Sequence, residues 1–594
     1  MTAESLSSSV SGSTPFSTTR IEAPQLDDEA TRHLSVAAHI DEEFADRAVS
    51  EFVAEPRRAV PPSPGVDAAA VLRQALVASR RRLVRDAVLV VLFVLLLVVN
   101  VVTAMTWLFL GLVWALVALF SRRAQGQQTR AQREPGERPF PVTGAILFAL
   151  FGLWALLGTD LYLLLLRMFA PLFYSPRELR SQVIPMGDIT PGPGVFLILL
   201  AALAVLVLDR LGVRHLLLRH FRYGVYRSDQ RAASWWDRLL RDWGWRPYSR
   251  RIEQVAATAE RGNLVVHDGW RAFVGSGDLA RSWSIAVRLR TEEDEEPRPL
   301  SPTTLYEAVA SEMESMRSSD QLAPGFRLRG LSGTPHAVVS AHSLMRYRHE
   351  PLARNILPDP ESSPTTSLPG DVMREITDRS PEWIRHYRCY RVESWHKELV
   401  SSSYLHIGCD ERTLYVEWNA FQLNPVHPYY GREDWWEARL PSALGQALVD
   451  FLALPASLFR RIRLMIRSAA IALRSVGFGG RIVPSTYGAR NSIRELVAAY
   501  RGETYFQDMD AIRYVKLMER KAFSAIINCL RDHGYSTEEF EGNANAVINN
   551  TIINGSKVSG LVIGGKENQV TVGGANPGQA AAGVGAPSRA GGKG

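Results

Sequence analysis

AVLVVLFVLLLVVNVVTAMTWLFLGLVWALVALF, residues 87–120, is a run of thirty-four residues without a charge. At ~1.5 Å per residue a single helix of that length would reach about 51 Å, against a hydrocarbon core of roughly 30 Å. Arg80, Arg81, Arg82 and Arg85 precede it, and Arg122, Arg123, Arg130 and Arg133 follow. Basic flanks on both sides place both ends on the cytoplasmic face. The run is therefore predicted to be a membrane hairpin with its tip near Asn100 to Thr103, crossing fully or re-entrant.

Working outward, residues 1–27 are rich in Ser and Thr and predict a disordered N-terminus. Residues 28–86 read as a cytoplasmic helical segment, with Asp41 as an N-cap and a break at Pro61, Pro62, Pro64 and Gly65. A basic cytoplasmic link, 121–139, follows the hairpin. Residues 140–208 hold two further apolar stretches, 142–166 and 194–208, separated by an outer loop. Four membrane segments with both termini cytoplasmic is the expected topology, in a cell membrane. Asp160 near the end of its segment is read as interfacial rather than as a proton relay.

The basic, Trp-rich juxtamembrane segment 209–250 carries Trp235 and Trp236, placed by composition at the inner leaflet or in the core of the next domain. In residues 251–430 apolar and polar residues alternate through Trp283, Ile285, Val287 and Leu289, and again through Thr413 to Trp418. That period predicts half-buried strands, Pro302 to Met316 predicts a helix, and together they predict a cytoplasmic α+β domain. The proline-rich stretch 348–381 is expected to be a loop. Residues 440–476 are predicted to be basic amphipathic helices kinked at Pro455. There Arg460, Arg461, Arg463 and Arg467 alternate with apolar residues, favouring an in-plane helix on an anionic leaflet over a fifth crossing. C-terminal helices are expected over 490–540, introduced by the capping-box spacing of Ser492 and Glu495. The expected fold class is thus an α-helical membrane region plus a cytoplasmic α+β domain, with a C-terminal helical region and a β-prone tail.

Charge and cysteine content narrow the function classes. The formal charge is +7, but only six of the 68 basic residues are lysines, a bias that reflects high-GC coding rather than nucleic-acid recognition. Three widely spaced cysteines argue against a disulfide framework or a structural zinc site. The histidines lack metal-ligand spacing, and no nucleophile elbow, Walker loop or kinase signature is present. Gly275 and Gly277 in Phe273-Val274-Gly275-Ser276-Gly277 precede a strand pattern rather than a helix, which favours a turn between strands over a phosphate-cradling loop. No catalytic, cofactor-binding or metal residue is assigned.

Residues 546–574, AVINNTIINGSKVSGLVIGGKENQVTVGG, alternate short β-prone clusters with Asn and Gly. Ile552, Ile553, Val558, Val562, Ile563, Val570 and Val572 are the candidate self-association residues. A hairpin or solenoid turn within one chain, or disorder continuous with the Gly-rich tail 575–594, are the alternatives. The blocks Val558-Ser559-Gly560, Val562-Ile563-Gly564 and Asn568 to Gly573 resemble bacterial amyloid-signalling motifs and the RIP homotypic interaction motif. Elsewhere, Thr31-Arg32-His33-Leu34, Arg58-Ala59-Val60, Arg80 to Asp86, Tyr415-Val416-Glu417-Trp418 and Tyr487-Gly488-Ala489-Arg490 resemble uncharacterised multi-pass membrane proteins of actinomycetes. That resemblance implies an architecture and no mechanism.

The functional expectation is an integral membrane scaffold or signalling protein with a homotypic or heterotypic partner at 546–574. The alternatives are a membrane-bound enzyme with its site in 251–430, and a small-solute transporter or accessory subunit.

Overall fold

Two aspartates start the helical part of the chain. Asp41 accepts hydrogen bonds from the amides of Glu43 and Phe44, and Asp67 accepts one from Ala70, so each fills donors that a helix start leaves open. They introduce α2 (Glu42–Phe52), which follows α1 (Glu29–Ile40), and α3 (Ala68–Val99). The computed structural model describes residues 29–101, 103–109, 111, 193–223, 225–226, 248–292, 296–318, 328, 330–431, 440–474, 483–550, 561–564 and 571–572. Next along the chain come α4 (Pro193–His220) and α5 (Ser249–Arg261).

The sheet domain follows in the order β1 (Leu264–His267), β2 (Asp278–Arg288), α6 (Pro302–Ser318), β3 (Leu331–Ser340), α7 (Ala341–Arg346), α8 (Pro351–Ile356), α9 (Gly370–Asp378), β4 (Ile384–Ser394), β5 (Leu399–Cys409) and β6 (Thr413–Leu423). Then come α10 (Leu440–Leu452), α11 (Leu454–Arg474), α12 (Tyr505–Asp532), α13 (Glu538–Asn550), β7 (Leu561–Gly564) and β8 (Thr571–Val572). The strands form one mixed sheet in the order β1-β3-β4-β5-β6-β2-β7-β8. β1 runs parallel to β3 and β2 parallel to β7; the other neighbours are antiparallel.

Period-2 alternation sorts the side chains between two faces. Trp283, Ile285, Leu405, Ile407, Val416 and Trp418 point to one face and are buried with α6, α12 and α13. Trp283 stacks on Phe523 at 4.7 Å and donates its indole N–H to the buried carboxylate of Glu519. On the opposite face Tyr387, Cys389 and Tyr404 pack under Phe273 of the glycine turn.

That turn is organised by an anion from the chain itself. Gly275 and Gly277 take φ of +98° and +87°, and a Cβ would stand 2.2 Å from Pro62 O and 2.3 Å from Gln422 O respectively. Their amides both donate to Glu495 Oε1 at 3.0 Å. Two backbone N–H groups do converge on an anion here, and it is an internal carboxylate. Ser492 and Glu495 make the reciprocal bonds of a capping box, at 2.8 and 3.3 Å, but no helix follows, because Glu495 is also held by the glycine turn. Arg494, between them, is fully buried and donates to the carbonyls of Pro64, Lys397, Glu398 and Asn424.

The expected membrane region of several crossings is overturned. Among the described residues one helix, α4, is long and apolar enough to cross a membrane, and the largest core belongs to an α+β domain. The break expected near Asn100 to Thr103 is present, and the apolar run up to it continues a helix that starts well before Ala87. α3 begins at Ala68, so the charged turn Arg80 to Asp86 lies inside the same helix, and Asn100 at φ −151° ends it while accepting the Thr103 amide. Its apolar part therefore spans only about 20 Å.

Two further expectations change: the stretch 348–381 contains α8 and α9, and residues 546–550 complete α13. On α12, Val515, Met518, Ala522, Ile526 and Leu530 are buried and Ile512 is exposed. Residues 1–27, 121–139, 142–166 with Asp160, and 575–594 lie outside the described residues.

Candidate functional site

The last charged turn of α3 sits where two cores meet. Below it Leu72, Ala75 and Leu76 pack with α1, α2 and α5; above it Leu89, Phe93 and Leu96 pack with α4, α10 and α11. Arg81, Arg85 and Asp86 of that turn are drawn into a collar of ion pairs. Arg85 donates through Nε to Asp86 at 2.9 Å, through Nη1 to Asp209 of α4 at 3.0 Å and through Nη2 to Glu42 of α2 at 3.2 Å. Arg81 Nε lies 3.1 Å from Asp209 Oδ1, and Arg461 of α11 donates to Asp86. Arg210 Nε reaches Asp450 of α10 at 3.2 Å, and Arg460 stands 3.7 Å from Glu42. Arg82 Nη2 closes the end of α1 by donating to the carbonyls of Ala38 at 2.7 Å and His39 at 3.2 Å, a favourable place for a cation at a helix C-terminus.

Electrostatics follow from this packing. Burial pushes the Glu42 carboxyl up, but Arg85, Arg82 and Arg460 outweigh it and hold it at about 2. A buried ion pair does not by itself stabilise a fold, because desolvation offsets the attraction.

Beside the collar is a cavity of about 60 Å³. Glu42, Asp46, Ser79, Arg82 and Asp86 form its polar wall, and Leu83, Leu464 and Met465 its apolar wall. Outside the bundle, Val91, Val98, Phe196, Leu197 and Leu208 are 62–77% exposed along α3 and α4.

The sequence-predicted residues fall into separate places. Arg461 is buried in its pair with Asp86, Arg460 and Arg463 are exposed on α11, and Arg467 is on the same helix. Trp235 and Trp236 lie outside the described residues, as do Ile552, Ile553, Val558 and Val570. Val562 and Ile563 are in β7, whose register pairs Ser284 with Val562 and Ile285 with Ile563, and Val572 is in β8. Sequence reasoning treated Arg81, Arg82, Arg85 and Asp86 only as a charged lead into the apolar run. The missed signal was an acid inside a basic turn next to an apolar helix, together with Asp209 and Asp450 in apolar surroundings. Among the described residues no group of His, Cys, Asp and Glu side chains is placed to hold a metal ion.

Residues 282–561 match the family model of the AbeC-like domain. The matched span runs from β2 to the first residue of β7 and includes Asp450 and Arg461, while Glu42, Arg82, Asp86 and Asp209 lie before it. No curated protein matches the chain, and no solved structure matches it.

Proposed function

We propose that the chain is a membrane-anchored scaffold or signalling protein, held at a bilayer by α4 and presenting the sheet domain and tail to partners. The observation that carries the reading is the outer surface of α3 and α4, where large apolar side chains stand exposed in continuous rows above the ionic collar. Contiguous apolar surface of that kind marks a lipid or partner interface. α4 supplies the one described helix of spanning length, and Arg460 and Arg463 stand exposed on α11, which packs against α3, with positive charge suited to an anionic leaflet.

The partner-binding half rests on the sheet edge. β7 already adds to β2 as a strand, which is the way extended segments dock on sheets. An active site in 251–430 is less favoured: on the sheet face opposite the helices Glu417 is taken up by Tyr387 at 3.1 Å and Asn419 at 2.6 Å.

The test is fractionation of cells expressing the full chain. The protein should stay with membranes through an alkaline carbonate wash and be released only by detergent. Recovery in the carbonate supernatant would overturn the anchoring.

A further inference from the structure

We infer that the outer face of α12, over residues 505–520, docks an acidic amphipathic helix of a partner protein. This adds a second surface to the scaffold reading, apart from the sheet edge, and is independent of the anchoring by α4.

Helical geometry sorts the residues of α12 onto two sides, at about 100° per residue. Ala511, Val515, Met518 and Ala522 turn inward and are buried. Tyr505, Phe506, Met509 and Ile512 share an arc of about 120° on the other side with Arg513, Lys516 and Arg520. The four apolar side chains are 39–70% exposed, and the three cations are exposed beside them. The core of the sheet domain draws its α12 residues from outside this arc, so these apolar side chains add nothing to it. A contiguous patch of aromatic, Met and Arg side chains has the composition of a protein interface.

Charge gives the sign of the partner. No carboxylate shares the arc. Asp508 flanks it on one side and accepts the Gly502 amide at 2.9 Å; Asp510 flanks it on the other and accepts the Trp395 indole N–H at 3.1 Å. Glu519 is buried, accepting from the Trp283 indole and lying 3.2 Å from Arg281. Arg513 reaches Asp510 at 3.0 Å. Lys516 and Arg520 have no carboxylate at ion-pair distance among the described residues, so an acidic surface is what complements the arc.

The order of residues along the axis favours a partner helix over a lipid leaflet. Apolar residues occupy 505–512 and cations 513–520, each about 12 Å of helix at ~1.5 Å per residue. A helix lying on a leaflet keeps its apolar face continuous along its length with cations at the borders, whereas here the two kinds follow one another on one arc. A helix with apolar residues over two turns and acids over the next two matches both halves at once. It would lie in the open groove lined by Met509, Ile512, Arg513, Lys516, Leu517 and Arg520.

The test pans a phage-displayed library of random peptides, ~15 residues or about four helical turns long, on the full-length chain in dodecyl maltoside. The library is first depleted on the triple variant Ile512→Ser, Lys516→Glu, Arg520→Glu. Retained sequences should carry an apolar half and an acidic half. Their affinity, read by anisotropy of the labelled peptide, should fall about tenfold or more in Lys516→Glu with Arg520→Glu, and also in Phe506→Ser with Ile512→Ser. A peptide with its acids replaced by lysine should bind the Lys516→Glu, Arg520→Glu variant better than the parent chain, a gain that misfolding cannot produce. Neutral or basic retained sequences, equal affinity for the charge-reversed variant, or no sequence surviving depletion would overturn the docking face. Peptide binding should be equal in phosphatidylcholine and phosphatidylglycerol nanodiscs; its loss in phosphatidylglycerol would assign the arc to the leaflet instead. Recovery of the chain in the carbonate supernatant would sink the anchoring and leave these outcomes unchanged.

Discussion

Asp86 and Arg461 lie 375 residues apart in the chain, and the guanidinium donates to the carboxylate with both side chains buried. The pair ties α11 to α3 at the level where the apolar bundle begins. Removing one partner strands a buried charge, so Asp86→Ala or Arg461→Ala should each destabilise by about 3–5 kcal/mol. Replacing both, as Asp86→Leu with Arg461→Met, should recover most of that loss. A double-mutant cycle by denaturant unfolding in detergent checks it, and an additive cycle would show that the pair does not interact.

Arg494 holds four carbonyls together, two of them on the turn between β4 and β5. That turn is strained: Trp395, His396 and Lys397 all have positive φ, at 51°, 54° and 66°. Arg494→Ala should therefore cost at least about 3 kcal/mol, given ~1–3 kcal/mol per buried polar group left unsatisfied. Lysine, without the planar fork, should recover less than half of the loss. Amide exchange at Glu398 and Leu399 should rise in both variants more than at β6.

Gly65 offers an independent view of the same turn. It has φ +73°, and a Cβ there would stand 2.8 Å from Lys397 O. Gly65→Ala should raise amide exchange at the turn while leaving exchange in α3 around Asp86 unchanged.

Glu398 makes stability depend on pH. Burial, with the carboxylates of Glu503 and Glu29, raises its carboxyl from 4.5 to about 7 against the opposing pull of Arg494 and Arg32. The folded state thus binds the proton more tightly than the unfolded one. Its contribution is fully present below pH 4.5 and is lost as pH rises through about 7, amounting to about 3 kcal/mol at most. Glu398→Gln should be more stable than the parent at pH 8 and should flatten this part of the profile. A parent whose stability rises between pH 5 and 7.5, with Glu398→Gln following it, would contradict the assignment.

The tail pairing can be trapped. Ser284 and Val562 are register partners of parallel β2 and β7, so Ser284→Cys with Val562→Cys should form a disulfide within one chain, seen as a faster band on a non-reducing gel. A covalent dimer would mean that the edge of β2 is filled by a second copy. Failure to form either would remove β7 from that edge.

Short-range chemistry was legible in the sequence. Asp41 caps α2, Pro302 opens α6, and the alternation around Cys409 to Thr413 forms the β5–β6 hairpin, because caps and period-2 faces depend on residues within a few positions of one another. Hydrophobicity and the break near Asn100 were legible too, but the charged turn Arg80 to Asp86, read only as a basic flank, lies inside α3 where two cores meet. Only the tertiary structure could decide the rest. Gly275 and Gly277 meet Glu495 across 220 and 218 residues, and Arg461 meets Asp86 across 375. A buried charge or an open amide is satisfied by whichever group the fold brings near it, and that proximity is set by packing of separate cores, which no local pattern in the chain encodes.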